Sequence, residues 1–168
     1  PRTVLGYISS AKDAMVLPEQ FAQEWVTPGD WRMERIAKIY REYVCRLREA
    51  NALDFDDIIL HAVTLLQQFD EVRHYYQRKF RYVLIDEYQD TNNLQYLLSS
   101  LLAGERSNIC VVGDDDQSIY RFRGANIENI LSFEKDYPKA RVIRLEQNYR
   151  STRQILDCLL YTSDAADD

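Results

Sequence analysis

Tyr82-Val83-Leu84-Ile85-Asp86-Glu87-Tyr88-Gln89-Asp90-Thr91 is the stretch on which the reading of this chain turns. A short apolar run passes directly into acids, the pattern of a strand that ends at a polar turn. The pattern returns downstream. Ile109-Cys110-Val111-Val112 ends in Gly113, and Val142-Ile143-Arg144-Leu145 forms a weaker third run. Helical spacing lies between them, in Leu94, Leu97, Leu98, Leu101 and Leu102, then in Ile127, Ile130 and Leu131. Strands alternating with helices at this spacing predict parallel pairing in an α/β sheet.

Upstream of Tyr82 the period is helical. From Trp31 to about residue 48, Ile36, Ile39, Tyr40, Tyr43, Val44 and Leu47 share one face, while Arg32, Arg35, Lys38, Arg41, Arg46 and Arg48 occupy the rest. That basic back reads first as a solvated face, with contact to duplex DNA as the alternative. Asp54 suits the N-cap of a second helix whose stripe is Ile58, Ile59, Ala62, Leu65, Leu66 and Phe69. Residues 71 to 79 read as a third. A short helix is expected after Pro18, from Glu19 to Trp25, ended by Thr27-Pro28-Gly29-Asp30; the remainder of the first thirty residues is weakly patterned. The expected organisation is an all-helical segment over residues 1–78, followed by part of an α/β domain.

With 168 residues, 46% hydrophobic and 29% charged, the composition is that of a globular chain with a real core. No apolar run reaches the roughly 18 residues of a membrane helix, and Pro1-Arg2-Thr3-Val4 has no signal-peptide character. A soluble piece of a longer protein is expected, with no membrane partner. Cys45, Cys110 and Cys158 lie far apart without metal-ligand spacing, so a reducing, cytoplasmic setting is the default. The net charge of -6 excludes a generic electrostatic nucleic-acid binder and confines any such contact to a local surface. Twelve Tyr and six Phe leave base stacking open as a second mode.

Ligands of parallel sheets gather beyond the carboxyl ends of the strands. An apolar strand ending in Asp86-Glu87 has the Walker B arrangement: the first carboxylate holds Mg²⁺ and the second deprotonates the water that attacks a γ-phosphate. The plainer alternative makes residues 86 to 90 a turn and an N-cap. After Val112 comes Gly113-Asp114-Asp115-Asp116-Gln117-Ser118-Ile119-Tyr120-Arg121-Phe122-Arg123-Gly124-Ala125. Gln117 at a strand end can bond a terminal phosphate or the attacking water. Tyr120 and Phe122 could offer rings to single-stranded bases, although spacing alone favours core packing for both. After Leu145 comes Glu146-Gln147-Asn148-Tyr149-Arg150-Ser151-Thr152, where Arg150 either caps locally or faces a neighbouring nucleotide.

Together these three strings closely resemble, in order and spacing, motifs II, III and IV of the UvrD/Rep/PcrA-type superfamily 1 DNA helicases. Ala52-Leu53-Asp54-Phe55-Asp56-Asp57-Ile58 is similar to the segment that leads from the inserted helical subdomain 1B back to motor domain 1A. The resemblance covers about Ala50 to Asp157. It implies part of a RecA-like, P-loop NTPase-type motor over residues 79–157, preceded by a 1B-like helical subdomain. The implied activity is ATP-driven 3′ to 5′ translocation on single-stranded DNA and unwinding at single-strand/duplex junctions, in repair, replication or recombination and with proteins of those processes as partners. On this resemblance Asp86 holds Mg²⁺, Glu87 is the general base and Gln117 reads the γ-phosphate of ATP. Tyr149 stacks near the adenine, Arg150 touches the γ-phosphate, Tyr120 and Phe122 stack on bases, and Arg123 links that track to the ATP site. The family often has Trp at the position of Phe122.

The five glycines form no GxxxxGK[ST] phosphate loop, so these residues alone are expected not to turn over ATP. Residues 158–168 resemble the translation of a sequencing adapter and are set apart as a tail foreign to the fold. Without them three acids and no base are lost, and the net charge becomes -3. His61 and His74 read as surface or packing residues. Three other functions compete: a two-metal nuclease built on Asp86, Glu87, Asp114, Asp115 and Asp116, a helicase subunit of a recombination helicase-nuclease, and a non-catalytic binding module for DNA or a partner.

Overall fold

The computed structural model describes residues 2–104, 108–114, 128–145, 147 and 149–155. Two compact units divide the chain, residues 1–137 and 138–168.

The first unit opens with α1 (Arg2–Asp13), α2 (Pro18–Glu24) and α3 (Trp31–Glu49). The helix α1 is absent from the expectation above because Gly6 and the Ser9-Ser10 pair break up its pattern, yet Val4, Tyr7, Ile8 and Ala11 keep helical spacing and all meet the core. Proline begins α2, where its missing N–H costs nothing. In α3 the Asp30 carboxylate caps the first turn by accepting from the Arg32 and Met33 amides at 3.1 and 3.0 Å, and Arg46 and Arg48 sit favourably in the last turn. Ile8, Ala11, Phe21, Ile36, Ala37 and Tyr40 form the core of these three helices. Phe21 packs edge-on against Tyr40 at 5.8 Å, and the Tyr40 hydroxyl donates to the Val16 carbonyl at 3.0 Å. Ala37 takes the inward position expected for Ile39, which is exposed.

The helices α4 (Phe55–Gln68) and α5 (Asp70–Lys79) follow. A reciprocal capping box starts α4: the Asp57 amide donates to Asp54 at 2.8 Å, and the Asp54 amide donates to Asp57 at 3.2 Å. The buried stripe of α4 is Asp57, Leu60, Val63 and Leu66. The expected stripe is rotated away from it, with Ile58, Leu65 and Phe69 exposed. Periodicity alone could not choose, because both faces of this helix are apolar.

Beyond α5 come β1 (Val83–Ile85), a single 3₁₀ turn (Tyr88–Asp90), α6 (Asn93–Ala103) and β2 (Ile109–Val111), then the short helices α7 (Glu128–Leu131) and α8 (Phe133–Asp136). The two strands are parallel, with Val83 opposite Ile109, Leu84 opposite Cys110 and Ile85 opposite Val111. Helix α6 packs on β1 and against α4 and α5. Val83, Ile85, Ile109 and Val111 are half-buried, whereas Leu84, 76% exposed, and Cys110 lie bare on the opposite side of the pleat. This part of the chain is thus a mostly helical body carrying a small two-stranded parallel sheet among the described residues.

The second unit has no strand among its described residues. Val142, Ile143 and Leu145, expected as a third strand, are exposed in irregular backbone, because a strand forms only where a neighbour supplies its ladder. The separated tail over residues 158–168 lies outside the described residues.

Polar contacts lock α1 to α4 and α6. Lys12 is 1% exposed, with Nζ 2.6 Å from Asp54 and 2.7 Å from Asp57. Beside it, the Asn92 amide nitrogen Nδ2 donates to Asp13 at 2.9 Å. Burial, with a smaller contribution from the Asp56 carboxylate, pushes Asp13 up from 3.8 to about 6. A carboxyl raised in the folded state binds its proton more tightly there, so its contribution to stability is full below 3.8 and is lost as pH rises through about 6. Asp13→Asn keeps an acceptor for Asn92. It is expected to stabilise the chain by about 1 kcal/mol at about pH 7.5, a value discounted for partial exposure, and by nothing at about pH 3.5. Urea unfolding at both pH values checks this, and an equal gain at both would contradict it.

Candidate active site at the strand exits

Both strands run in the same direction, so their carboxyl ends emerge side by side. The ladder continues past its last paired residues: the Val112 amide donates to the Ile85 carbonyl at 2.8 Å, and the Tyr88 amide donates to the Val112 carbonyl at 2.9 Å. Asp86-Glu87 and Gly113-Asp114 are therefore held as two adjacent exits.

At the first exit, Asp86 is exposed and accepts the Glu87 amide on Oδ1 at 3.0 Å. Glu87 is also exposed, and its backbone is left-handed, with φ of 51°. For an L-residue with a β-carbon this conformation costs about 1–2 kcal/mol, and such strain concentrates at functional sites. Gln89 and Tyr88 behind them are buried. The Tyr88 ring packs edge-on against Phe133 at 5.7 Å, and burial raises its hydroxyl, which has no hydrogen-bond partner among the described residues, above the usual range. Thr91 closes the turn by donating through Oγ1 to the Tyr88 carbonyl at 2.7 Å, and buried Asn129 of α7 donates to the Thr91 carbonyl at 3.1 Å. Asn92 then caps α6 by accepting from the Gln95 amide at 2.8 Å. The N-cap is thus Asn92, which leaves Asp86 and Glu87 out of the helix start.

One connection was invisible in the sequence. Gln89, 2% exposed, donates through Nε2 to Glu87 Oε2 at 2.7 Å and accepts on Oε1 from the Asp114 amide at 3.0 Å. It crosses from one exit to the other.

Of the other site residues expected from sequence, Gln117, Tyr120, Phe122 and Arg123 lie outside the described residues, as do Asp115 and Asp116. Tyr149 and Arg150 lie in the second unit: Tyr149 is 87% exposed, Arg150 is exposed, and both stand in a bend that precedes a helical turn at residues 153–155. Among the described residues no group of three or more acids, histidines or cysteines gathers to hold a metal. Mg²⁺ requires less, since it takes one or two carboxylates and completes its shell with phosphate and water oxygens. Asp86, a hard-oxygen donor open to solvent at a strand exit, fits that need. No helix among the described residues is long and apolar enough to cross a membrane.

The UvrD/REP helicase N-terminal domain model matches residues 2–138, and the chain belongs to that family, the UvrD/PcrA-type superfamily 1 helicases. It is 53% identical over 156 residues to a protein of Bacillus subtilis named ATP-dependent DNA helicase PcrA, covering 93% of this chain and 21% of that one. It is 52% identical over 157 residues to the protein of the same name in Staphylococcus aureus, and 50% identical to that of Staphylococcus epidermidis, covering 94% of this chain and 21% of each relative. The chain thus spans about a fifth of the length of these relatives.

Proposed function

We propose that this chain is the part of an ATP-dependent DNA helicase that supplies the Walker B carboxylates and the start of the DNA track, within a RecA-like motor that moves 3′ to 5′ on single-stranded DNA. The observation that carries the reading is the pair of stitched parallel strand exits, with Asp86 and Glu87 open to solvent at one and Gly113-Asp114 at the other. The bare side of the sheet supports it too, since parallel sheets are normally covered on both faces and the relatives are about five times as long.

In this reading Asp86 holds Mg²⁺, whose charge offsets that of the β- and γ-phosphate oxygens. Glu87 takes a proton from water as the water oxygen bonds to the γ-phosphorus and the bond to the ADP oxygen breaks. An exposed carboxylate on a strained turn is suited to that work, because it reaches the ligand side of the sheet instead of the core. Gln117 senses the γ-phosphate, and Arg150 stabilises charge on the transferring phosphoryl group, with Tyr149 against the adenine. Tyr120 and Phe122 stack on bases of single-stranded DNA, and Arg123 links that contact to the ATP site. Residues 1–78 act as the 1B-like subdomain and 79–157 as the later part of 1A, with the phosphate loop and second motor domain supplied by other parts of the protein. By itself the chain turns over no ATP.

With ATP and Mg²⁺, the full-length protein is expected to unwind a duplex with a 3′ single-stranded tail and to leave a 5′-tailed duplex paired. Strand separation followed on labelled substrates checks the polarity, and a preference for the 5′ tail would contradict it.

A further inference from the structure

We propose that Gln89 is a positioning residue for ATP hydrolysis, holding the Glu87 carboxylate from the exit of β2. The inference rests on the reading of Glu87 as the general base.

Both ends of the Gln89 carboxamide are committed. Nε2 donates to Glu87 Oε2 at 2.7 Å, and Oε1 accepts from the Asp114 amide at 3.0 Å. The residue itself is fixed in the single 3₁₀ turn, whose first amide, from Tyr88, donates to Val112 at 2.9 Å and whose last, from Asp90, donates to Glu87 at 2.9 Å. The space it occupies is specific. A β-carbon at Gly113 would stand 2.6 Å from Gln89 Oε1 and 2.9 Å from Ile130 Cδ1, so the glycine is what admits the carboxamide between the two exits.

A buried glutamine that served packing alone could satisfy its amide group on any nearby carbonyl. Here the donor is spent on an exposed carboxylate, a side chain with rotamer freedom to lose by being held. A general base gains rate from such restraint, since a misplacement of about 1 Å in the reacting groups can cost on the order of 10²-fold. The anchor at Asp114 also gives the restraint a source. The chain runs from Asp114 toward Gln117 and Tyr120, so a shift of the β2 exit moves the amide on which Gln89, and through it Glu87, is hung.

The test is steady-state ATP hydrolysis by the full-length protein with saturating single-stranded DNA. Gln89→Met removes both hydrogen bonds at nearly constant volume, and Gln89→Glu keeps an acceptor for the Asp114 amide while losing the donor to Glu87. Both variants are expected to lose about 30-fold in kcat, with KM for ATP and affinity for single-stranded DNA within about twofold of the parent. In a Glu87→Gln background, adding Gln89→Met should cost nothing further, because a residue that acts through Glu87 has nothing left to position. Retention of more than about half of kcat by Gln89→Glu, or a multiplied loss in the double variant, would overturn the inference while leaving the helicase reading intact. Near-normal turnover by Glu87→Gln would overturn the reading beneath it.

Discussion

Glu87→Gln in the full-length protein is expected to lower kcat for ATP hydrolysis by about 10³-fold while leaving ATP binding nearly unchanged. The carboxamide has the shape of the carboxylate and can still accept a hydrogen bond, but it cannot take a proton from water. The structure gives the substitution little else to disturb: the side chain is exposed, its backbone amide bonds Asp86 at 3.0 Å and its carbonyl bonds the Asp90 amide at 2.9 Å, and neither contact involves the carboxylate. Among the described residues its side-chain partner is Gln89 Nε2, which can donate to the new amide oxygen as it does to the carboxylate. Phosphate release after rapid mixing, alongside equilibrium binding of a fluorescent ATP analogue, separates turnover from binding. A loss of less than about tenfold would show that another group takes the proton.

Lys12→Met is expected to destabilise the chain by about 3–5 kcal/mol, a large share of the roughly 5–15 kcal/mol that holds a domain folded. The Lys12 ammonium lies between Asp54 and Asp57 at 2.6 and 2.7 Å, and over the Tyr43 ring at 5.2 Å. Methionine fills the space but leaves two carboxylates facing each other, one of them on buried Asp57. Neither acid can turn away, because each also caps α4 through the other's backbone amide. Burial pushes Asp54 upward, but hydrogen bonds from Lys12, the Asp57 amide and the Tyr43 hydroxyl outweigh it and hold the group below 3.8. A carboxyl lowered in the folded state contributes stability above its unfolded value of 3.8 and loses it as pH falls through the folded one. The penalty of Lys12→Met should therefore shrink as pH falls below about 3.8 and the Asp54 carboxyl takes up its proton. Urea unfolding of parent and variant at about pH 7.5 and about pH 3 measures both parts. A penalty that is small at neutral pH, or that does not change with acid, would contradict the account.

The elements most legible in the sequence are those whose local pattern and tertiary role agree. β1 and β2 are read from apolar runs that end in Asp86 and Gly113, and the structure pairs them in parallel; Asp54 caps α4 as its residue type suggests. The solvent-open position of Asp86 and Glu87 follows from the same reading, because acids after a buried run must leave the sheet. Other features depend on contacts between distant segments. Lys12 has no local signal, since its ion-pair partners, Asp54 and Asp57, stand forty-two residues or more away. Gln89 reads as one polar residue among several, and only the parallel register places the Asp114 amide within its reach. In α4 the choice of buried face is made by Leu94 of α6, which packs on Leu60 and Val63, and composition on the two faces could not make it. Val142 to Leu145 carries strand-like residues without a paired neighbour among the described residues, so local propensity goes unused there.

The central claim is that Asp86 and Glu87 belong to a motor driven by ATP on single-stranded DNA. Steady-state ATP hydrolysis by the full-length protein, with Mg²⁺ present and single-stranded DNA either added or withheld, tests it most directly. Turnover should rise at least about tenfold on adding the DNA, the stimulation expected if a base contact and the strand exits move together. A well-folded full-length protein that hydrolyses no ATP with DNA present, yet cleaves that DNA with a divalent metal alone, would contradict the claim and assign the carboxylates to a nuclease.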